Sequence, residues 1–566
     1  MKVIHRCLTL AIVAGSVFIS GISAHDIGTF FSDEPVDRLV DRLMTEMTDE
    51  EKVAQVFLVG WDGVRPSAEI MEWITTRNIG GVKVFGWNGE NVHELARSIG
   101  TMQTAAVSTS NAIPLFVATD QEGGWVRHIK GTTSPTPGNI AIGATNLPDD
   151  AYRTGYYIGL ELRAIGVNLN FAPTVDVYVN PEAHVIGPRA FSDDPVRTGV
   201  LGTAYFRGLD AAGVIATAKH FPGHGNADGD SHGVLPVLTE TYEELAARDL
   251  IPYTMLISEG IPAVLSGHLS FPNVTGNDTP ASISSVIKRD ILRNRLGFDG
   301  LVITDDMYMG GAIVYGARHG MDFAELCYRA LAAGSDMLLL AETPAINDAI
   351  WSRVFTAYTT EPSFRTTIDA SVRRILRTKI KYLHAEDRVP LVPDLTDLQY
   401  LVPTPDGERF FIDHAFRSTT IVRSRDLPLA APTSERVLIV GADPAFFREA
   451  RRAFPGADTY ALSGRSIYFG APEDKRNVAR LAREYDTVIF RLAYLSSLDV
   501  LRELEHIPVR VVVLSVLTPV YLRAVPWVSN AVAVYGMTPA SYEAGFAAIQ
   551  GRIRGEGRLP ISSVGD

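Results

Sequence analysis

The 566-residue sequence predicts an α/β protein in which an N-terminal (β/α)8 barrel precedes a smaller αβα open-sheet domain. Three observations carry that expectation. Eight short runs rich in Val, Ile, Leu and Ala recur between positions 53 and 340, with helix-like amphipathic stretches between them. Polar and titratable residues gather at the C-terminal ends of those runs, the face on which such barrels build their sites. A proline-rich break at 386–409 then precedes a second, shorter strand–helix pattern.

From the N-terminus, Lys2, His5 and Arg6 form a basic start, residues 7–22 are apolar, and Ser23-Ala24 offers a small-residue cleavage site. Residues 1–24 therefore read as a secretory signal peptide, and the mature chain is expected to be secreted or periplasmic. No other segment is long and apolar enough to span a bilayer. The barrel is expected over 35–385. Its apolar runs are 53–60, 81–86, 115–120, 167–176, 214–220, 263–270, 300–306 and 335–340, and most lack alternation, as suits strands buried on both faces. Amphipathic segments such as 194–212 and 285–296 supply helices between them. Residues 386–409, with Pro390, Pro393, Pro403 and Pro405, read as an extended linker. The second domain, 410–566, has expected strands at 436–442, 486–492, 509–515 and 530–536, whose ends hold few catalytic groups.

The length exceeds one ordinary core, so two or more domains are required. Apolar content of 46% and charged content of 21% are those of a soluble globular protein. The net charge of -13 argues against nucleic acid or anionic membrane as a partner. Of two cysteines, Cys7 lies in the signal segment, so Cys327 stands alone and is expected as a small buried residue without a disulfide. The sequence does not fix an oligomeric state.

The densest chemistry lies at 219–232, where Lys219, His220, His224, Asp228, Asp230 and His232 crowd among Gly and Pro turn formers. This is a strand running out into a polar loop. In Asp230-Ser231-His232 a carboxylate two residues from an imidazole can accept one ring N–H and raise the ring's basicity. The other nitrogen is then left to move a proton. The bland alternative is a solvated glycine-rich loop. The run at 300–304 delivers Asp305 and Asp306, of which strand alternation lets only one face the mouth. A carboxylate there either caps the next helix or, being ionised, attacks an electrophilic carbon. Asp120, before Gln121-Glu122-Gly123-Gly124, suits a polar ligand brought close to backbone. Asp176 and His268 also end apolar runs, and Arg189 lies on a long loop, where a lone arginine is usually solvated. Gathered at one mouth, these groups suit a ligand with many hydroxyls, and suit phosphate less well because the carboxylates repel it. His220, His224, Asp230 and His232 are the candidate metal ligands. Pro222-Gly223 breaks the helix that would pair the first two, and Lys219 would repel a cation. No metal and no cofactor are expected.

Together these motifs resemble glycoside hydrolase family 3, and within it the bacterial β-N-acetylglucosaminidase branch. The resemblance rests on Asp120-Gln121-Glu122-Gly123-Gly124, Asn170-Phe171-Ala172-Pro173 with Asp176 and Asn180-Pro181, and the Lys219 to His232 loop. It rests further on Ser282-Ile283-Ser284, Leu296-Gly297-Phe298-Asp299-Gly300 and Thr304-Asp305-Asp306-Met307. It covers about 40–385 in order, and more weakly the C-terminal part, including Gly557-Arg558-Leu559-Pro560-Ile561-Ser562. The resemblance implies a retaining double displacement with Asp305 as nucleophile and His232, held by Asp230, as acid/base. It implies that Asp120, Arg189, Lys219 and His220 bind the sugar. The implied reaction removes terminal β-linked N-acetylhexosamine from peptidoglycan fragments or chitooligosaccharides. A carbohydrate is thus the expected partner. The family alternatives are a β-glucosidase, a β-xylosidase or a phosphorylase; outside enzymes, the alternative is a sugar-binding module that has lost turnover. One departure stands out. Where the family pattern carries a second arginine, this chain reads Trp125-Val126-Arg127-His128-Ile129-Lys130, and either Arg127 or His128 could take that role.

Overall fold

A computed structural model describes residues 29–429, 435–463 and 468–564. The signal-peptide reading of 1–24, with Cys7, lies outside the described residues. Ten strands form in the first part of the chain. They are β1 (Phe57–Gly60), β2 (Gly81–Val84), β3 (Phe116–Thr119), a small hairpin of β4 (Gln121–Gly123) and β5 (Val126–Arg127), then β6 (Leu169–Asn170), β7 (Ile215–Phe221), β8 (Ala263–Ser266), β9 (Leu301–Asp306) and β10 (Met337–Leu340). Apart from the hairpin, they close a parallel barrel in the order β1-β10-β9-β8-β7-β6-β3-β2. Each of the eight apolar runs contains one barrel strand.

The run ends depart from expectation for local reasons. The front of 53–60 is the end of a helix, Asp49–Ala54, started by a capping box between Thr48 and Glu51. Of 167–176 only Leu169–Asn170 is strand. Pro173 has no N–H to give a ladder, and the chain beyond it bridges Lys219 through Thr174 instead. The segment 194–212 is a helix, Pro195–Ala211, whose first turn is capped by the Asp194 side chain on Arg197 N. The segment 285–296 is wound as a π-helix, Val286–Arg295. There the buried Lys288 Nζ donates to Ser282 O, Ala330 O and Ser335 Oγ.

Within 386–409, Leu398–Leu401 and the first turn of Pro405–Ser418 are helical, and Val389, Leu398 and Val402 are buried. The second sheet has the order β11-β16-β15-β14-β12-β13. Its strands are β11 (Thr420–Ser424), β12 (Val437–Gly441), β13 (Asp458–Ala461), β14 (Thr487–Leu492), β15 (Arg510–Val516) and β16 (Asn530–Tyr535). The four central strands were legible as apolar runs. The edges β11 and β13 were not, because they are only partly buried and carry no continuous apolar signal.

The two domains share a core. Ile140 and Ala144 from the barrel helix Asn139–Thr145, with Tyr178 and Ile186 from a barrel loop, pack into the cluster that contains Leu438, Val488 and Val513 of the second sheet. Near the C-terminus, Arg558 N donates to Ala144 O, Pro560 O accepts from Ser192 Oγ at 2.7 Å, and Ser562 donates twice to Asp193 Oδ2. Cys327 is buried, as expected. No helix among the described residues is long and apolar enough to cross a membrane.

Candidate active site

The barrel closure turns the C-terminal ends of its strands toward one mouth. Asp120 leaves β3 there. Its Oδ1 accepts from Lys219 Nζ at 2.5 Å and its Oδ2 from Lys83 Nζ at 2.6 Å. Two residues on, Glu122 in β4 accepts from the same Lys219 Nζ at 2.6 Å. It also takes the Arg189 fork, Nη2 at 2.7 Å and Nε at 3.0 Å. Burial alone would raise both carboxyls. Lys219 and Lys83 nevertheless hold Asp120 well below its usual range, and Arg189 with Lys219 brings Glu122 down to about 2. Arg189 is therefore not the solvated arginine its loop position suggested. It is buried and paired.

Arg189 Nη2 also meets His220 Nε2 at 3.0 Å. A guanidinium only donates, so Nε2 accepts and Nδ1 carries the proton that Asp176 Oδ2 receives at 2.7 Å. Asp176 Oδ1 takes the backbone N–H of His220 and of His224. Its carboxyl is driven up by burial but held at about 2 by the histidines it binds. Asp120, Arg189, Lys219 and His220 thus form one connected network with Lys83, Glu122 and Asp176.

On β9, the two aspartates diverge, as alternation requires. Asp306 Oδ1 accepts from Tyr308 N at 3.2 Å and Ala341 N at 3.0 Å. It holds the turn after the strand, and burial raises it to about 6. Asp305 is half-buried among His220, His268 and Lys219. Burial raises its carboxyl, but these neighbours and the Asp306 N–H leave it below the ordinary value, so it is ionised at neutral pH. His268 is a brace beneath it, bonding Ser282 Oγ at 2.7 Å and Asp306 O at 2.9 Å.

The loop after β7 brings His232 over the mouth. Its Nδ1 lies 2.7 Å from Asp230 Oδ1, and its side chain is 65% exposed. The hydrogen bond to Asp230 raises the imidazole pKa, burial opposes this, and the nearby charges of Asp230 and Asp305 add to the rise. His224, weighed as a ligand, turns its Nε2 to Ser231 Oγ at 3.2 Å.

Lys83, Glu122 and Asp176 were not singled out as binding groups, although each had a signal. Lys83 is a charge inside an apolar run. Glu122 follows Asp120 at the two-residue spacing that returns a strand side chain to the same face. Asp176 ends an apolar run and belongs to the motif with Asn170 to Pro173, but neither position assigns it a binding role. Of Arg127 and His128, it is His128 that reaches this network. His128 Nδ1 lies 3.2 Å from Lys83 Nζ and 3.7 Å from Asp120, and burial with Lys83 pushes its pKa down to about 4. Arg127 turns away to Thr133 O. A separate cleft of about 680 Å³ opens between the barrel's Pro181–His184 loop and Tyr468, Phe469 and Tyr521 of the second domain, and no strand-end charge lines it.

The site now stands beside known proteins. Residues 48–378 match the model of the glycosyl hydrolase family 3 N-terminal domain. The chain is 37% identical over 259 residues to the Pseudoalteromonas piscicida protein named beta-hexosaminidase A, covering 43% of each chain. To the Hydrogenovibrio crunogenus beta-hexosaminidase it is 34% identical over 282 residues, 49% of this chain and 75% of the other. The chain thus spans less than half the length of the first of these relatives and three quarters of the second. A solved family 3 beta-N-acetylglucosaminidase from Paenibacillus sp. str. FPU-7 is similar over 91% of this chain and 99% of its own, with TM-score 0.80 and 27% identity. A beta-glucoside phosphorylase shares the fold at TM-score 0.76 and 22% identity. With the family model spanning more than half of its residues, the chain belongs to glycosyl hydrolase family 3.

Proposed function

We propose that this chain is a retaining β-N-acetylhexosaminidase that releases terminal β-linked N-acetylglucosamine from peptidoglycan fragments or chitooligosaccharides outside the cytoplasm. The observation that carries the reading is the pairing of an ionised carboxylate, Asp305, with a proton carrier, His232, whose second nitrogen is held by Asp230 at 2.7 Å. Asp305 attacks the anomeric carbon while His232 Nε2–H protonates the departing glycosidic oxygen. The glycosyl–Asp305 ester forms and the aglycone leaves with the proton. His232, now neutral, then takes a proton from water as that water attacks the anomeric carbon and releases Asp305. An imidazole suits this place because it adds no second negative charge beside the nucleophile and exchanges its proton near neutral pH. The names of the relatives support the N-acetyl sugar. The network of Lys83, Asp120, Glu122, Arg189, Lys219 and His220 supports a ligand rich in hydroxyls.

The test is nitrophenol release from the β-N-acetylglucosaminide and the β-glucoside side by side, with and without phosphate, using Asp305→Ala as control. Preference for the N-acetyl sugar, independent of phosphate and lost in the variant, supports the reading. Preference for glucose overturns the substrate, and stimulation by phosphate overturns hydrolysis. Binding without turnover of either, in folded protein, makes the chain a sugar-binding module.

A further inference from the structure

The nucleophile and the proton carrier come from different strands, yet the mechanism needs them at a fixed separation. Asp305 ends β9. His232 lies on an exposed loop that closes on itself through Gly233 N and Val234 N, both donating to Asp230 O, through His232 N and Nδ1 on Asp230 Oδ1, and through His224 on Ser231 Oγ. Two further bonds tie that loop down. Gly310 N donates to His232 O at 2.9 Å, and Gly311 N donates to Ser231 O at 2.9 Å. Gly310 and Gly311 begin the helix Gly310–Arg318, which follows Asp305 after only four intervening residues.

Neither glycine has the positive φ that explains most glycines at turns in this chain. What they lack is a side chain, and the space for one is taken. A Cβ on Gly310 would sit 2.5 Å from His232 O and 2.9 Å from Gly233 Cα. A Cβ on Gly311 would sit 2.9 Å from His268 Cβ and 3.2 Å from both Ser231 O and Val234 O. Gly233, on the loop itself, meets nothing within 4 Å.

We infer that Gly310 and Gly311 are positioning residues that latch the His232 loop to the end of the nucleophile strand. The latch rests on the proposed acid/base role of His232. It turns two catalytic groups from separate strands into one unit. Asp306, whose carboxylate holds the backbone of Tyr308 and Ala341, fixes the turn between them.

The decisive variant is Gly310→Pro. Proline is well accepted at a first helical position; it removes the N–H that binds His232 O and also places a Cβ in the filled space beside that oxygen. Gly310→Ala is the companion, keeping the N–H and adding the clashing Cβ. Chitobiose, whose leaving group needs a proton, is expected to lose turnover about a hundredfold or more in both, as in His232→Ala. The first-turnover burst of nitrophenol from the activated aryl glycoside is expected to survive, because Asp305 is untouched. Steady-state turnover of that substrate is expected to recover with azide, which attacks the anomeric carbon of the glycosyl–Asp305 ester without a general base. Full chitobiose turnover in Gly310→Pro overturns the latch, and so does loss of the burst, which would mean a disturbed nucleophile. If His232→Ala itself shows neither leaving-group dependence nor azide rescue, the acid/base reading fails instead. Should either variant fail to fold, amide exchange in the unmodified protein still decides: the Gly310 and Gly311 N–H groups are expected to be protected, and free exchange overturns the latch.

Discussion

In the barrel, Asp120, Lys219, His220 and Asp305 stand at the ends of three strands and meet at one mouth. In the second sheet, Asp443 follows β12 and Arg491 lies near the end of the neighbouring β14, and these meet each other at 3.9 Å across one tyrosine, Tyr542. Asp443 Oδ1 accepts from Ala445 N at 2.8 Å at the start of the next helix, and its Oδ2 accepts from Tyr542 OH at 2.7 Å. Arg491 Nε donates to the same hydroxyl at 3.0 Å. Both regions are sheets flanked by helices, parallel throughout in the barrel and parallel but for the edge strand β11 in the second domain, and both bring charges to strand ends. A closed barrel turns its ends around a centre, so charges on different strands converge. An open sheet sets its ends along a line, so Asp443 and Arg491 of neighbouring strands form one local pair around Tyr542. Closure thus gathers charges from several strands at one mouth, where the open sheet joins those of two neighbours.

That contrast can be broken at several points. Asp305→Asn is expected to lower kcat by about ten-thousandfold with the fold retained, measured on the aryl N-acetylglucosaminide. A loss below tenfold would remove the nucleophile from the mouth. Lys219→Ala leaves Asp120 and Glu122 as buried carboxylates without their shared cation. It is expected to cost about 3–5 kcal/mol of stability by denaturant unfolding and to raise KM strongly. A near-neutral result would show that the network does not hold together as drawn.

Acidity sharpens the comparison. In the proposed mechanism His232 acts as an acid only while protonated, and its pKa is raised, so kcat/KM should fall on the alkaline side above the ordinary imidazole value near 6.5. Asp305 is lowered, so the acid-side loss should lie below the usual carboxylate range. Asp230→Asn removes the main cause of the His232 rise and should shift the alkaline limb to lower pH; an unmoved limb would assign it to another group. Asp193→Ala frees the Ser562 contact beside the Arg189 loop and should raise KM a few-fold with little change in kcat. The smallest effect is expected in the sheet. Asp443→Ala should cost about 1 kcal/mol by loss of its cap and leave kcat/KM unchanged. Lost turnover in a folded Asp443 variant would end the contrast.

How much of this was legible follows from what carries each signal. Barrel strands are buried on both faces, so they appear as unbroken apolar runs, and all eight were visible. Edge strands β11 and β13 are half-wet and gave no such run. Asp120, Lys219, His220, Asp230, His232 and Asp305 lie in crowded polar stretches beside turn formers, which a local reading can find. Lys83 and Glu122 matter because of partners far away in sequence: Lys83 reaches Asp120, and Glu122 reaches Arg189 and Lys219. Arg189 was underrated from position alone, because its loop is covered by residues that follow it by more than 350 positions. Glycines 310 and 311 read as an ordinary helix start, since only the folded loop shows what fills the space beside them.

The shared core has a consequence for the order in which this protein becomes useful. Its barrel sequence leaves the ribosome well before residues 558–562, and domains generally fold from the N-terminal side as they emerge. Yet those late residues hold Ala144, Ser192 and Asp193 around the Arg189 loop. A nascent chain that has already wound its barrel still lacks the support for one wall of its pocket. The emergence of residues 558–562, rather than barrel folding, is then the moment at which the pocket is built, and a chain broken off within the second domain would carry Asp305 in a mouth whose Arg189 wall lacks its support.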